Sequence, residues 1–505
     1  MNSDLAAKRL GSWFIWSPLA ALLVVALGLA SPAPAASAAP NSIRWWLSTV
    51  DLKQQLTAQP PLVWQSAVPP RGCRIEVNPA ETHQTILGLG ASLEPATCSN
   101  LWRMTPADRE RTLERLVTRQ RGIGMNLMRL CMGTPDFTGD PWYSYNDLGP
   151  GETDPELKRF CLEKDRAYIL PVLKQAKQTN PDLLFFASPW SPPGWMKSTG
   201  TLIGGHLLPR WYPVYAEYFV RFIQAYASEG IPIYAVTTQN EPGVDRAKEK
   251  DPHWFYPSCH WTAEQERDFI RDHLGPAFRR QGLKTRIWCY DHNYNVRPRG
   301  DDPGIAYPRT ILRDPQAAQF VDGVAFHGYA GDPAGMSTFH REFPHLPLYF
   351  TEGSVFGLRG GVELVEKLRN YASAYNAWVT ILDDNGKPNN GPFKASRTII
   401  TLDPKTLKPR EHFDFFLYGQ FMKFIRRGAQ RIASAGDDNT LAHVAFRNPD
   451  GELVLVVVNN HRADKPVSLS WNGSHAATRL PARSVATFLW ETAGSRGVSG
   501  ARALR

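Results

Sequence analysis

Cysteine is scarce in this chain: six in 505 residues, at wide and irregular spacing, with no C-x-x-C pair. That excludes a finger- or ribbon-type zinc site and offers no disulfide framework to read. Cys131 and Cys289 fall in expected strands and read as buried thiols. The metal-hydrolase pattern H-E-x-x-H is missing, as are a calcium loop and a G-x-S-x-G elbow, so zinc-protease and serine-hydrolase chemistry find no support. A net charge of +9 comes without any block of Lys or Arg. Scattered charge of this kind argues against a nucleic-acid role and leaves room for contact with anionic surfaces. No internal repeat is present, and only one apolar run, near the N-terminus, approaches membrane-spanning length.

That run extends from about Trp13 to Ala30, behind Lys8 and Arg9 and ahead of Ala36-Ser37-Ala38. It reads as a signal peptide over residues 1–38, cleaved before Ala39, with an uncleaved anchor as the alternative. The expected location is secreted or periplasmic. Over the whole chain, 43% hydrophobic and 21% charged residues describe a folded, soluble body. The length suits two or three domains. The aromatics, 16 Trp, 17 Tyr and 24 Phe, serve either cores or flat binding faces.

From about residue 81 to 398, short apolar runs alternate with helical stretches. The runs are 85–90, 126–132, 183–187, 234–238, 286–290, 323–327, 348–351 and 377–382. They are apolar on both faces, as strands covered on both sides must be. Helix signals lie between them: Thr105-Pro106 at an N-terminus, a stripe of Tyr212, Tyr215, Phe219, Phe222, Ile223 and Tyr226, and Thr262 ahead of Glu264 and Glu266. Eight such strands predict an α/β fold, a (β/α)8 TIM barrel. A doubly wound open sheet competes, but no Gly-rich phosphate fingerprint follows the first strand. Residues 399–492 change texture to strands and tight turns, as at Asn448-Pro449-Asp450-Gly451. They predict an antiparallel β-sandwich that borrows strands from residues 39–80. The Gly/Ser/Arg-rich segment 493–505 reads as a mobile tail.

Two runs end in acids. Tyr234 to Pro242 ends Asn240-Glu241-Pro242, and Leu348 to Gly353 ends Thr351-Glu352-Gly353. These are the fourth and seventh strands, nearly opposite on a ring of eight, with their C-terminal ends at the mouth where barrel sites lie. A pair of carboxylates facing each other there is what glycoside hydrolysis needs. Asn240 is placed to hold a sugar hydroxyl. The loop Ser188-Pro189-Trp190-Ser191-Pro192-Pro193-Gly194-Trp195-Met196-Lys197 is either a sugar platform built on Trp190 or a structural corner. His327 and Tyr329 end the sixth strand, His327 as site member or satisfied structural group. Trp378 floors the pocket or belongs to the core. Arg129, on the second strand, is placed to pair with Glu352 and keep it ionised. Asp136 and Asp291 are weaker candidates. The chemistry requires no metal and no organic cofactor.

These segments resemble glycoside hydrolase family 30, the group that includes lysosomal glucosylceramidase. The resemblance rests on Gln84-Thr85-Ile86-Leu87-Gly88-Leu89-Gly90, the Trp190 loop, Thr238-Gln239-Asn240-Glu241-Pro242, Phe326-His327-Gly328-Tyr329 and Phe350-Thr351-Glu352-Gly353. It also covers the entry into the β domain from Tyr418 to Ile432. It implies a barrel with a side β-sandwich, retention of configuration, Glu241 as acid/base and Glu352 as nucleophile. By the same resemblance Trp190, Asn240, Tyr329 and Trp378 contact sugar, and His327 neighbours the pocket. Ser92-Leu93-Glu94-Pro95 stands where the family has an acid after Thr, so Glu94 is the expected holder of outer hydroxyls. Gly328 stands where the family often has Trp.

The expected activity is a secreted retaining β-glycosidase acting on a carbohydrate or glycolipid: glucosylceramide, a β-glucoside or a related β-glycan. Glu241 must then hold the higher pKa of the pair, which the charge of Glu352 favours. The alternatives are a non-catalytic carbohydrate-binding protein on the same scaffold and a secreted interaction protein working through its β domain.

Overall fold

Eight parallel strands close into a barrel in the computed structural model, which describes residues 42–66, 72–294, 304–354, 356–395 and 398–492. They are β1 (Gly88–Ala91), β2 (Leu127–Met132), β3 (Leu184–Pro189), β4 (Ile233–Thr237), β5 (Arg286–Asn293), β6 (Gly323–His327), β7 (Leu348–Glu352) and β8 (Ala372–Ala377). Hydrogen bonding runs β1-β8-β7-β6-β5-β4-β3-β2. The ring completes where the Asn126 amide donates to Leu89 O at 3.0 Å and the Leu93 amide to Arg129 O at 2.8 Å. The expected signal segment and tail lie outside the described residues. Among those described, no helix is long and apolar enough to cross a membrane. All six cysteines are free, with Cys131 and Cys289 buried in β2 and β5.

The pleat of the strands builds the barrel interior in layers. Leu127, Phe186, Ala235, Trp288, Ala325, Tyr349 and Ala374, one from each of seven strands, form a closed apolar cluster. Large and small side chains alternate, so Trp288 fits against Tyr349 at 4.0 Å and Phe186 at 5.0 Å between ring centres. Because strand side chains repeat every two residues, the next inward layer is Arg129, Ser188, Thr237, His327, Thr351 and Asn376, all 0–1% exposed. On β5 the simple period would select Tyr290. Tyr290 and Asp291 instead adopt left-handed backbone, φ 79° and 63°. The register against β6 shifts between Tyr290 and His292. This bulge turns Asp291 into the inward layer.

The eighth strand differs from expectation. Residues 372–377, not 377–382, pair with β1 and β7. Ile381–Asp383 belongs instead to a small sheet with Ile400–Leu402 and Pro409–Glu411. Both runs are buried, so hydrophobicity does not separate them. What distinguishes 372–377 is its pairing, Ala374 beside Gly88 and Asn376 beside Gly90; on the other side of β1 the approach to β2 is close, since a Cβ at Gly90 would lie 1.9 Å from Leu127 O. The first strand likewise starts at Gly88, since Thr85 ends a long sandwich strand, Cys73–Thr85.

That sandwich strand is one of nine. The order is Ser474–Leu480, Lys465–Trp471, Cys73–Thr85, Gln430–Gly436, Leu441–Arg447, Leu453–Asn459, Ser484–Trp490, Ser42–Thr49 and Thr57–Val63. Gln65 and His475 exchange amide hydrogen bonds of 2.8 and 2.9 Å, which brings the last strand back to the first and covers both edges. N-terminal strands thus complete a mainly antiparallel sandwich with its own core, including Ile43, Ile75, Leu455 and Phe488.

Between barrel and sandwich lies helix Phe413–Met422, buried at every position. Buried on all sides, Asp414 and Gln420 included, it carries no polar stripe, so the sequence gives no periodic sign of it. After it, Arg427 donates to Leu87 O (2.9 Å), Asp182 O (2.8 Å) and Asn126 O (2.6 Å). One guanidinium therefore ties the sandwich entry to the lower rim of β1, β2 and β3. Arg427→Ala removes all three bonds and is expected to lower unfolding free energy by about 1–3 kcal/mol. Denaturant unfolding checks this, and an unchanged midpoint contradicts it.

Candidate active site

The polar layer converges on Asp291. Its Oδ2 accepts from Arg129 Nη2 (2.8 Å), Thr237 Oγ1 (2.8 Å) and Ser188 Oγ (3.0 Å). Its Oδ1 accepts from Thr351 Oγ1 (2.6 Å) and faces His327 Nε2 at 3.0 Å. Burial alone would raise the pKa of this carboxyl; Arg129, His327 and the hydroxyls outweigh it and hold it far below the usual range. Asp291 is thus a permanent anion, and two cations are oriented by it. Arg129 reaches past it to Glu352 Oε2 and donates to Asn240 Oδ1 at 2.8 Å. His327 turns its other nitrogen, Nδ1, to Glu241 Oε1 at 3.2 Å.

The two glutamates stand at the mouth, one layer above. Glu352 ends β7, and Tyr329 OH donates to its Oε1 at 2.8 Å. Glu241 lies four residues beyond the end of β4. Its backbone is left-handed, φ 49°, at a cost of about 1–3 kcal/mol for a non-glycine residue. The Asn240 amide on Pro189 O (2.8 Å) and the Glu241 amide on Asp291 O (3.1 Å) hold that turn. One oxygen of Glu241, one of Glu352 and one nitrogen of His327 all lie within 4.8 Å of each other. Such a trio has the donor types of a metal site. Here Arg129 and His327 already supply positive charge to both carboxylates, and an added cation would meet that charge.

Glu241 departs from expectation in its acidity. Burial pushes its pKa up, but the hydrogen bond from His327 and the positive charges of His292, His327 and Arg246 push it further down. His327 is raised, because Glu352, Asp291 and Glu241 outweigh its burial. The resting pair is therefore an imidazolium beside a carboxylate.

A cavity of about 600 Å³ opens over these groups. Trp190 and Trp378 stack at 5.2 Å in its wall, and Arg129 packs 4.9 and 5.4 Å from their ring centres. Asn240, Glu241, Tyr329 and Glu352 line it as well. Arg129 and His327 do not line it; they act from behind. The Trp190 loop is locked by Lys197, whose buried Nζ donates to Ser191 Oγ, Leu202 O and Ser258 O at 2.7–2.9 Å.

Glu94 is the correction. Its carboxylate caps helix Pro95–Arg103 by accepting from the Thr97 amide at 2.9 Å, and its other oxygen accepts from Ser92 Oγ at 2.6 Å. It is fully buried and is not part of the cavity wall; held in an N-cap, it does not reach a ligand there. Asp136, ranked below it in the sequence, lies in the wall instead. Its Oδ1 has no hydrogen-bond partner among the described residues. Burial, then the charges of Glu352 and Glu241, push its pKa up to about 8.

Ser188, Thr237 and Thr351 escaped the sequence reading, although each sits an even number of residues along a strand from a core position. His292, Arg246 and Tyr256, which face Glu241 from the rim, carried no sequence signal at all.

Comparison with known proteins agrees with this geometry. The glycosyl hydrolase family 30 TIM-barrel domain matches residues 86–424, and the family's β-sandwich domain matches residues 428–488. An endo-1,6-β-D-glucanase of Neurospora crassa is 32% identical over 443 residues, covering 83% of this chain and 88% of that one. The lysosomal acid glucosylceramidase of Mus musculus is 30% identical, covering 83% and 84%. A solved endo-β1,6-glucanase superposes with a TM-score of 0.77 at 30% identity, over 89% of this chain and all of the other. With both domains matched and the two glutamates facing one cavity, this chain belongs to glycosyl hydrolase family 30 and is a β-glycosidase.

Proposed function

We propose that the chain is an exported, retaining β-glycosidase that cleaves a β-glucosidic bond by double displacement, with Glu352 as nucleophile and Glu241 as acid/base. The spacing carries this reading. Carboxylate oxygens within 4.8 Å belong with the narrow separation of retaining enzymes, about 5–5.5 Å, and not with the 6.5–9.5 Å or so that inversion leaves for water. The named activities of the relatives, on a 1,6-β-D-glucan and on glucosylceramide, share a glucosyl unit. The N-terminal run ahead of Ala36-Ser37-Ala38 supports export, and mass spectrometry of the exported protein should place its first residue at Ala39.

The lowered pKa of Glu241 fits this chemistry through its partner. Sugar entering the cavity expels water, and a dry ion pair loses its advantage over the neutral pair. The proton on His327 Nδ1 then passes to Glu241 Oε1, 3.2 Å away. His327 becomes neutral and keeps its Nε2 proton on Asp291. Glu241 gives the proton to the leaving oxygen as Glu352 bonds to the anomeric carbon. In the second half Glu241 takes a proton from water, whose oxygen displaces Glu352. Tyr329 and Arg129 fix the attacking carboxylate and steady it as it leaves. Trp378 and Trp190 supply the apolar wall, and Asn240 and Asp136 meet ring hydroxyls.

Glu352→Gln is expected to abolish turnover. Glu241→Ala should lose about 10²–10⁴-fold on alkyl glucosides, much less on aryl glucosides with good leaving groups, and recover with azide. The first-formed sugar, followed by proton NMR, should be the β anomer; an α anomer refutes the double displacement.

Asp136 adds a pH signature. Below about 8 it is protonated and donates to substrate; above that, a third carboxylate charge enters the site. Activity should therefore fall as pH rises through about 8, and Asp136→Asn should move that limb upward. From the unfolded value of about 3.9 up to about 8, the folded chain holds a proton the unfolded chain has released. Stability from this group thus declines with rising pH across that window.

A further inference from the structure

Outward from the glutamates the cavity wall changes character. The chain after Glu241 folds back along the mouth, and Arg246, Trp254 and Tyr256 on it line the cavity together with Phe393. Trp254 and Tyr256 meet the Phe393 ring edge to face, at 6.0 and 5.7 Å. The Arg246 guanidinium lies 4.6 Å from the Tyr256 ring centre and 5.7 Å from that of Phe393. Glu249 Oε1 (2.9 Å) and Tyr256 OH (2.7 Å) hold it there, and its Nε has no partner among the described residues. Trp254 and Phe393 are nevertheless 38% and 40% exposed. Large rings left in water at the rim of a cavity call for a ligand.

We propose that Trp254, Phe393 and Arg246 form a subsite for a sugar ring of the leaving group, so that the preferred substrate is a saccharide chain running past Glu241. The inference rests on the roles proposed above for Glu241 and Glu352. An acid/base stands against the leaving oxygen, and this cluster is on the Glu241 side: it follows Glu241 in the chain and lines the same wall, and the charge of Arg246 acts on that carboxylate. The wall also suits a sugar chemically. A pyranose offers an apolar C–H face to the rings and hydroxyls to Arg246, Asp245, Glu249 and Lys394, all in the same wall. The hydrocarbon chains of a glycolipid would strip water from those charges and return nothing. The cluster is also rigid. Arg246 is anchored at both Nη atoms, so little freedom is lost when a ligand arrives.

The test uses the full chain carrying Glu352→Gln, which binds without turnover. Calorimetric titration compares methyl β-glucoside, a β-1,6-linked glucose disaccharide and octyl β-glucoside. The second sugar should tighten binding about fivefold or more, the scale of one or two aromatic contacts. Trp254→Ala with Phe393→Ala should remove that gain, and Trp254→Phe should retain most of it. The proposal is overturned if the disaccharide binds no better than the methyl glucoside, if the gain survives loss of both rings, or if the octyl chain alone produces it. Should the unsubstituted chain hydrolyse no aryl β-glucoside, the underlying reading fails and the subsite with it. Hydrolysis of aryl β-glucosides without the disaccharide gain removes the subsite alone.

Discussion

A single buried carboxylate, Asp291, organises the site. It cannot lose its charge at working pH, because burial in the barrel is outweighed by Arg129, His327 and a ring of hydroxyls. Each cation it orients then holds one of the mouth glutamates. Arg129 takes Glu352 and His327 takes Glu241. Two acids within 4.8 Å of one another repel, and they persist there only because their countercharges are held from below. A buried charge network of this kind is costly if any member is missing, which makes the layer beneath the cavity as demanding as the cavity itself.

That network exists because a strand breaks its own rule. A regular β5 would send Tyr290 inward and leave Asp291 facing the helices. The left-handed pair at Tyr290 and Asp291 inserts one residue and reverses the alternation. A similar departure occurs at Glu241, whose left-handed backbone is held by amides on Pro189 and Asp291. Local strain at these residues aims charge into the site, and the regular lower barrel, packed from alternating large and small side chains, supports it.

Legibility followed periodicity. Strands with apolar residues on both faces, such as Leu127–Met132 and Gly323–His327, were visible from composition, as were the two glutamates that end such runs. The eighth strand was misread because Ala372–Ala377 and Ile381–Asp383 are equally buried, and only contact with Gly88 and Gly90 chooses between them. Helix Phe413–Met422 left no trace because it has no polar face. Glu94 and Asp136 exchanged places for a related reason: an acid before a helix and an acid in a loop look alike until the cap takes one of them.

The sequence by itself determined the repeating strand-and-helix texture, the sandwich turns, and the two acids at strand ends, because these depend on patterns of a few neighbouring residues. Only the tertiary structure decided which strand is eighth, which acid faces the cavity, and that Asp291 binds Arg129 and His327 together. Those outcomes depend on groups distant in the chain, Arg129 and Asp291 by 162 residues and His327 and Asp291 by 36, meeting at hydrogen-bond distance, and on a bulge that shifts one side chain from one face of a strand to the other.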